Sequence, residues 1–482
     1  MTQGGRGVSS PVHEPPAGPV HFIGIGGAGM SGIAAVLARL GVTVTGSDLK
    51  VSRYTRHVEE LGVEVHIGHH EANLGEAAMV VISSAIPESN PELRAARRAG
   101  LPVLQRAEML ARVMAMRRGI AVAGTHGKTT TSSMISHVLF KCGLEPTFLV
   151  GGELNDMGSN AGVGDGEWLV AEADESDGSL LFLRPEVAVV TNVELDHHAN
   201  YRCLDEVRDV FRRFVALLPP RGLLVLADEP TAAFLPAASG APVVTYGIDR
   251  GDLAADVERA DDRGSAFFVR ERGARLGRVE LRVPGEHNVL NALAALAALA
   301  HAGVSFDQAA PHLATFSGAA RRYQELGRHD GVVVVDDYAH HPTEIAATLK
   351  AAKAGSHRRV IAVFQPHLFS RTRYLQREFG RALTLADEAI VTDVFAAREE
   401  PEPGVSGKLI VDAYLAERPG GPVWYLPHLG DVVGHLVRYV RPGDLVLTIG
   451  AGDVFRAGER LLEELAGEPA EEPSAVAGTT SS

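Results

Sequence analysis

The sequence predicts an α/β protein with mainly parallel sheets, divided into about three domains. Three observations predict this. Short apolar runs alternate with helical periodicity along most of the chain, several runs end in glycine-rich turns, and two composition breaks divide the 482 residues into pieces long enough to bury a core each.

Residues 1–18 and 466–482 are rich in Pro, Gly, Ser, Glu and Thr and read as disordered tails. Between them, buried strands are expected at 20–25, 42–46, 79–83, 120–123, 168–171, 187–191, 223–226, 332–335, 360–364, 389–394 and 445–449. Helical periodicity between many of these runs indicates mainly parallel sheets. Met116-Arg117-Arg118-Gly119 precedes a new strand, and the polar stretch from Gly318 to Gly331 precedes another. Domains are therefore expected at 19–117, 118–327 and 328–465. Residues 250–282 are charged and partly alternating, which suggests antiparallel strands inserted in or appended to the middle domain.

The composition narrows the function. A hydrophobic content of 45%, a charged content of 22% and a net charge of −14 describe a globular chain whose main partner is neither nucleic acid nor an anionic membrane. An anionic substrate would need a local basic site. Two cysteines, Cys142 and Cys203, without a C-x-x-C spacing exclude a disulfide framework and fit a reducing compartment. Residues 1–19 contain no apolar run of the signal-peptide kind, and the Ala/Leu segment 292–300 is far shorter than the roughly 20 residues of a membrane span. A soluble cytoplasmic protein is expected. Lysine occurs only six times, so a lysine in a glycine-rich loop carries extra weight.

Four constellations can carry chemistry. Gly24-Ile25-Gly26-Gly27-Ala28-Gly29 follows a strand, and Asp48 closes the next one, a spacing that lets a backbone approach a diphosphate at a helix N-terminus. The same spacing also serves as a plain strand–helix turn. Gly124-Thr125-His126-Gly127-Lys128-Thr129-Thr130 follows a second strand and has the core of a P-loop, in which backbone N–H groups cradle phosphates, lysine neutralises them and a hydroxyl holds Mg²⁺. The generic motif requires glycine at 122, where this chain has Val122. Glu172-Ala173-Asp174-Glu175-Ser176-Asp177 and Thr191-Asn192-Val193-Glu194-Leu195-Asp196-His197-His198 each close a strand, where carboxylates can hold Mg²⁺ or form a solvated acidic loop. Asp336-Asp337-Tyr338-Ala339-His340-His341-Pro342 and Gln365-Pro366-His367-Leu368-Phe369-Ser370-Arg371-Thr372-Arg373 follow later strands. Their arginines can clamp a carboxylate and their histidines can accept a proton near neutral pH. By residue type alone, a dehydrogenase using NAD or a P-loop switch protein remains open.

Taken in order, these blocks resemble the Mur ligase family, over about residues 19–460. The resemblance is carried by Gly124–Thr131, the Glu172–Asp177 run, Pro284-Gly285-Glu286-His287-Asn288-Val289-Leu290-Asn291-Ala292, the 316–323 stretch and the 336–342 stretch. The family's P-loop is G-x-x-G-K-[ST], so Val122 is normal within it. The blocks are most similar to the branch that uses ATP and Mg²⁺ to join L-alanine to UDP-N-acetylmuramate through an acyl phosphate in peptidoglycan synthesis.

That resemblance implies an N-terminal Rossmann-like UDP-binding domain, a central P-loop ATPase domain with a mixed sheet and a C-terminal Rossmann-like domain, with site residues in each. Gly24, Gly26, Gly27, Gly29, Met30, Ser31, Asp48 and Ser83 would bind the UDP-sugar. Gly124 to Thr130, with His287, Asn288, Asn291 and Asp337, would bind ATP. Thr129, Glu172 and His197 would hold Mg²⁺. Tyr338, His340, His367 and Arg371 would bind the amino acid. Lys128, His197, Arg321 and His340 would be catalytic, with Arg321 on phosphate and His340 a proton acceptor. It further implies domain closure before chemistry, a monomer or weak homodimer, and no nucleic-acid or membrane partner. Two departures stand out. Relatives often carry a carbamylated lysine near the second metal, but no lysine lies between Lys141 and Lys350, and Arg212 sits at about that spacing. Leu368 stands where alanine-adding relatives often have arginine.

Overall fold

The computed structural model describes residues 16–467 apart from 84, 198, 199 and 398. The expected tails lie, but for a few residues, outside that range. The chain forms two compact units, one of residues up to 260 together with 264–320, the other of 261–263 together with residues from 321 onward.

The first unit begins with a five-stranded parallel sheet of β1 (Val20–Ile23), β2 (Val44–Asp48), β3 (Glu64–Ile67), β4 (Met79–Ile82) and β5 (Val103–Gln105), in the order β3-β2-β1-β4-β5. Helices α1 (Ala28–Arg39), α2 (Arg53–Glu60) and α3 (Pro91–Arg98), with a short 3-10 turn at Glu71–Leu74, provide the crossovers, and α4 (Arg106–Ala115) follows β5. Alternate strand residues enter opposite cores: Val20 and Phe22 pack with α1 and α4, whereas Ile23, Val80 and Ile82 pack with Leu93 and Ala96 of α3. The strand order is doubly wound, and ligands in such sheets meet the C-terminal strand ends.

The second sheet of this unit has ten strands, ordered β15-β14-β13-β12-β11-β10-β6-β9-β7-β8. They are β6 (Arg118–Ala123), β7 (Thr147–Leu154), β8 (Ser159–Gly162), β9 (Trp168–Glu172), β10 (Val187–Val190), β11 (Leu223–Ala227), β12 (Val243–Ile248), β13 (Leu253–Asp261), β14 (Gly264–Glu271) and β15 (Ala274–Leu281). Helices α5 (Lys128–Lys141), α6 (Leu204–Val215), α7 (Glu286–His301) and α8 (Phe306–Leu313) cover it. The charged 250–282 stretch supplies β13 to β15, with β14 and β15 an antiparallel pair. Gly32 of α1 packs against Leu149 and Ala161, too close to admit a larger residue, so the first sheet's helix layer rests directly on β7 and β8.

The second unit is a six-stranded sheet ordered β16-β17-β21-β18-β19-β20. Its strands are β16 (Gln324–His329), β17 (Val332–Asp337), β18 (Arg359–Phe364), β19 (Glu388–Val391), β20 (Val423–Tyr425) and β21 (Asp444–Ile449), and its helices α9 (Pro342–Lys353), α10 (Phe369–Leu383), α11 (Lys408–Glu417), α12 (Leu429–Tyr439) and α13 (Phe455–Ala466). Val333 and Val335 face α9 to α11, and Val332 and Val334 face α12 and α13. The unit opens at Arg321, ahead of the expected 328, because polar β16 pairs antiparallel with β17 as an edge strand. Among the described residues no helix is long and apolar enough to cross a membrane.

A buried polar knot secures the first sheet. Glu92, fully buried at the start of α3, accepts hydrogen bonds from the Ser47 hydroxyl at 2.5 Å, Asn73 Nδ2 at 2.6 Å and the His70 N–H at 3.1 Å, while His21 Nε2 lies 3.5 Å away. Ser47 in turn uses its carbonyl to hold the N–H groups of Gly24 and Ile25, at 2.8 and 3.0 Å. Burial pushes the Glu92 pKa up, but the adjacent His21 imidazole and hydrogen bonds from Ser47 and Asn73 outweigh it and bring the value down to about 2 from the usual 4.5. A depressed carboxylate stabilises the fold above its unfolded pKa and loses that contribution as pH falls from about 4.5 towards 2. Glu92→Gln should therefore weaken hydrogen-exchange protection of β1 and β2 by about 3 kcal/mol at pH 7. The gap to the parent chain should narrow across that acid window; a pH-independent gap would show that the charge itself contributes nothing.

Candidate active site

Three neighbouring parallel strands end at one height. Val122 on β6 pairs with Glu172 on β9, and Ala123 pairs with Val190 on β10. The P-loop, the acidic run and the Thr191–His197 stretch therefore leave the sheet side by side, at the edge where α/β sheets bind ligands.

The loop's shape depends on its glycines and on the neighbouring strand. Gly124 has φ 132° and Gly127 has φ 81°, the latter serving as N-cap of α5. A Cβ at Gly127 would lie 2.6 Å from Asn291 Oδ1. Asn192 grips His126 from both sides, accepting its N–H at 2.8 Å and donating to its carbonyl at 3.1 Å, and the Thr191 hydroxyl donates to the same carbonyl. Thr129 and Thr130 are buried in the first turn of α5. Beside that turn, a Cβ at Gly152 would lie 3.1 Å from the Thr129 methyl, and the Gly151 N–H donates to Glu172. Asn288 and Asn291 lie in the first two turns of α7, joined to each other at 3.0 Å and, through Asn291, to Thr131 at 3.2 Å; His287 precedes them, half-buried.

Lys128 stands at the centre of the charge. Its Nζ donates to Glu175 Oε2 at 2.8 Å and to the carbonyls of Gly124 and Thr125, at 2.5 and 3.2 Å. Burial alone would lower its pKa, yet Glu175, Asp174 and Glu172 together hold it above the usual lysine range, so the side chain stays cationic. Asp174 is pushed up by burial and pulled below its usual range mainly by Lys128. His197, in a left-handed conformation with φ 56°, places Nε2 3.4 Å from Glu175 Oε1 and 3.8 Å from Asp196 Oδ2. This donor set suits a divalent cation: three carboxylates crowd one lysine, more negative charge than a single ammonium offsets.

The glycine turn belongs to the same unit. Gly24 has φ 79°, Gly27 caps α1, and the Gly26 N–H donates to Asp48 at 2.8 Å. Asp48 thus braces the turn itself. Met30 and Ser31 are buried inside α1, with the Ser31 hydroxyl turned back to the Ala28 carbonyl, and Ser83 accepts from the Ile86 N–H through its carbonyl. Two contacts tie this turn towards the P-loop edge. Asn160 Nδ2 donates to the Ala28 carbonyl at 3.0 Å, and Arg106, packed across Gly29, reaches within 4.0 Å of Asp174.

The second unit gathers its own cluster. His340 lies edge-on to both Tyr338 and His367, with ring centroids 5.5 and 6.1 Å away. His340 Nδ1 lies 3.0 Å from the Tyr338 carbonyl, and His367 Nδ1 lies 3.1 Å from a guanidinium nitrogen of buried Arg371. Leu368 adopts φ 71° at the start of α10, directing Arg371 one turn later back at His367. Arg321 is held by Asp336 at 2.8 Å, the Gly450 carbonyl at 2.8 Å and the Gly452 carbonyl at 3.0 Å, so it braces β17 and the loop after β21. Asp337 accepts the N–H groups of Ala339 and Tyr323, at 2.7 and 2.9 Å, and burial pushes its pKa up to about 6.

Four residues enter these sites without having been singled out from the sequence. Glu175 and Asn192 stood inside motif strings, but nothing local distinguished them from their neighbours. Arg106 carries no motif, and Phe395, stacked on His367 at 6.0 Å, follows an ordinary strand.

Comparison with known proteins agrees with this geometry. Three sequence profiles match in order: the Mur ligase family catalytic domain at residues 19–118, the Mur ligase middle domain at 122–299 and the Mur ligase glutamate ligase domain at 321–452. A UDP-N-acetylmuramate–L-alanine ligase of Rubrobacter xylanophilus is 54% identical over 450 residues, 92% of this chain and 100% of its own length. The corresponding ligase of Pelotomaculum thermopropionicum is 49% identical, covering 92% of this chain and 97% of its own. Among solved structures, the UDP-N-acetylmuramate-alanine ligase of Thermotoga maritima superposes with a TM-score of 0.77 at 29% identity, over 93% of this chain and 99% of that one. With its P-loop, acidic strand ends and doubly wound sheets in the order those profiles require, the chain belongs to the Mur ligase family.

Proposed function

We propose that this chain joins L-alanine to the lactyl carboxylate of UDP-N-acetylmuramate, converting ATP to ADP and phosphate. The observation that carries the reading is the Lys128 array, where a cationic lysine inside a glycine loop meets buried Glu175 and its neighbouring carboxylates at coterminal strand ends. A nicotinamide enzyme would have no use for it. The identity to alanine-adding relatives over nearly their whole length supports the choice of amino acid.

A carboxylate is a poor electrophile, so the reaction needs an activated acyl group. A carboxylate oxygen attacks the γ-phosphorus of ATP and ADP leaves, giving an acyl phosphate; the amine of L-alanine then attacks the acyl carbon and phosphate departs. Lys128 and the loop N–H groups offset charge on the transferring phosphoryl group. Thr129, Glu172 and His197 are the residues that would hold Mg²⁺, which would supply positive charge to offset that of the phosphates. The glycine turn at the start of α1 suits the UDP diphosphate, with Arg106 lying beside Gly29. In the second unit Arg371 and His367 suit the amino acid's carboxylate, and His340 suits the proton that the amine loses.

Phosphate release should require ATP, Mg²⁺, UDP-N-acetylmuramate and L-alanine together; release with D-glutamate or a peptide in place of L-alanine would assign another branch of the family. Lys128→Ala should lower turnover by at least roughly 100-fold while circular dichroism shows a folded chain. Substantial residual turnover would remove the P-loop from the chemistry. Arg371→Ala should raise the KM for L-alanine by roughly tenfold or more and leave the KM for ATP within about twofold, since a charge-assisted hydrogen bond to a carboxylate is lost. Equal changes in both would place the amino acid elsewhere.

A further inference from the structure

Glu175 joins the two groups on which phosphoryl transfer depends. It is 2% exposed, and its oxygens point to different partners: Oε2 to Lys128 Nζ at 2.8 Å, Oε1 to His197 Nε2 at 3.4 Å. A simple ion pair would use one oxygen and leave the other to water. Here the second oxygen is sealed from solvent and, among the described residues, meets no hydrogen-bond criterion, while the His197 ring nitrogen lies 3.4 Å from it. Leaving a buried carboxylate oxygen unsatisfied is costly, so the arrangement marks a functional constraint rather than a packing convenience. His197 is itself held in a left-handed backbone conformation, which side chains other than glycine, asparagine and aspartate rarely adopt. The Tyr201 hydroxyl, donating to the Glu175 carbonyl, pins the backbone beneath.

We propose that Glu175 is a positioning residue: one oxygen fixes the Lys128 ammonium, and the other takes the Nε2 proton of His197, so that the Nδ1 lone pair is presented to a divalent cation beside the lysine. A metal-binding histidine commonly donates its other ring N–H to a carboxylate, which fixes the tautomer and the ring plane. Asp196 cannot do this equally well. It lies 3.8 Å from the same nitrogen, and its Oδ1 already accepts the His197 N–H at 2.7 Å. Glu175 thereby makes the phosphate cation and the metal histidine one mechanical unit, whereas Glu172, braced by the Gly151 N–H, is anchored separately.

This rests on the reading of Lys128 as the phosphate lysine and His197 as a metal ligand, so the test separates the two. Mn²⁺ binding to the full chain in the presence of ADP is followed by electron paramagnetic resonance, together with UDP binding and steady-state kinetics. Absence of Mn²⁺–ADP binding by the parent chain would overturn the underlying reading before any variant is compared. Given that binding, Glu175→Gln should weaken Mn²⁺ affinity by roughly 10- to 100-fold and lower kcat, with UDP binding and the KM for L-alanine within about twofold. Glu175→Asp, which keeps the charge but cannot span both partners, should lose Mn²⁺ affinity at an unchanged Tm, and it carries the test if the glutamine variant fails to fold. Parent-like Mn²⁺ affinity in either folded variant would overturn the proposal. So would a loss seen in Asp196→Asn but not in Glu175→Gln, which would give the orienting role to Asp196.

Discussion

Parallel strands β6, β9 and β10 pair in a register that brings their last residues level, and the rest of the first unit's chemistry depends on that register. A shift of one residue would turn Val122 and Ala123 to opposite faces and move Glu172 away from the loop. With the register held, the loop after β6 is gripped by Asn192 and Thr191 from the end of β10, and its lysine meets Glu175 from the end of β9. Each strand alone supplies one kind of group: a phosphate cradle, a carboxylate, or a histidine with loop-fixing amides. Adjacent strand ends turn three separate segments into one electrostatic device.

The electrostatics of that device answer a difficulty posed by the composition. A chain with a net charge of −14 that takes anionic substrates needs local cations, and the first unit sets two of them beside its glycine turns. Lys128 is buried among carboxylates that keep it charged, and Arg106 lies across the glycine turn with Asp174 nearby. Both sites have an acidic partner within reach, so each cation is oriented before a phosphate competes for it. The surplus of carboxylate around Lys128 would repel ATP unless a divalent cation came with it, which fits the ligase chemistry.

Legibility in the sequence followed burial. Strands with apolar side chains on both faces, such as β6, β10, β18 and β21, stood out as short hydrophobic runs because both sides of a central parallel strand are covered by helices. Strands at edges or over turns did not. β8 is Ser-Asn-Ala-Gly, β3 is Glu-Val-His-Ile with half its surface open, and β16 is Gln-Glu-Leu-Gly-Arg-His; none has an apolar run to find. Reading β16 as polar linker also placed the expected boundary inside a strand that belongs to the second unit. The hairpin strands β14 and β15 were visible through alternation instead, since one face of an antiparallel pair stays polar.

By itself the sequence determined the α/β class, the glycine loops at strand ends, and the family, because these depend on local periodicity and on fixed spacings along the chain. It also held the names of nearly all the residues at the strand ends. The tertiary structure alone decided what those residues do to one another. Within the acidic run, Glu175 lies 2.8 Å from Lys128 and 3.4 Å from His197, Asp48 accepts the Gly26 N–H, and Arg321 holds Asp336 together with the Gly450 and Gly452 carbonyls. Such choices rest on distances between groups far apart in sequence, on which nitrogen of a ring faces which oxygen, and on whether water can enter. Those are properties of packed strand ends, and no one-dimensional pattern records them.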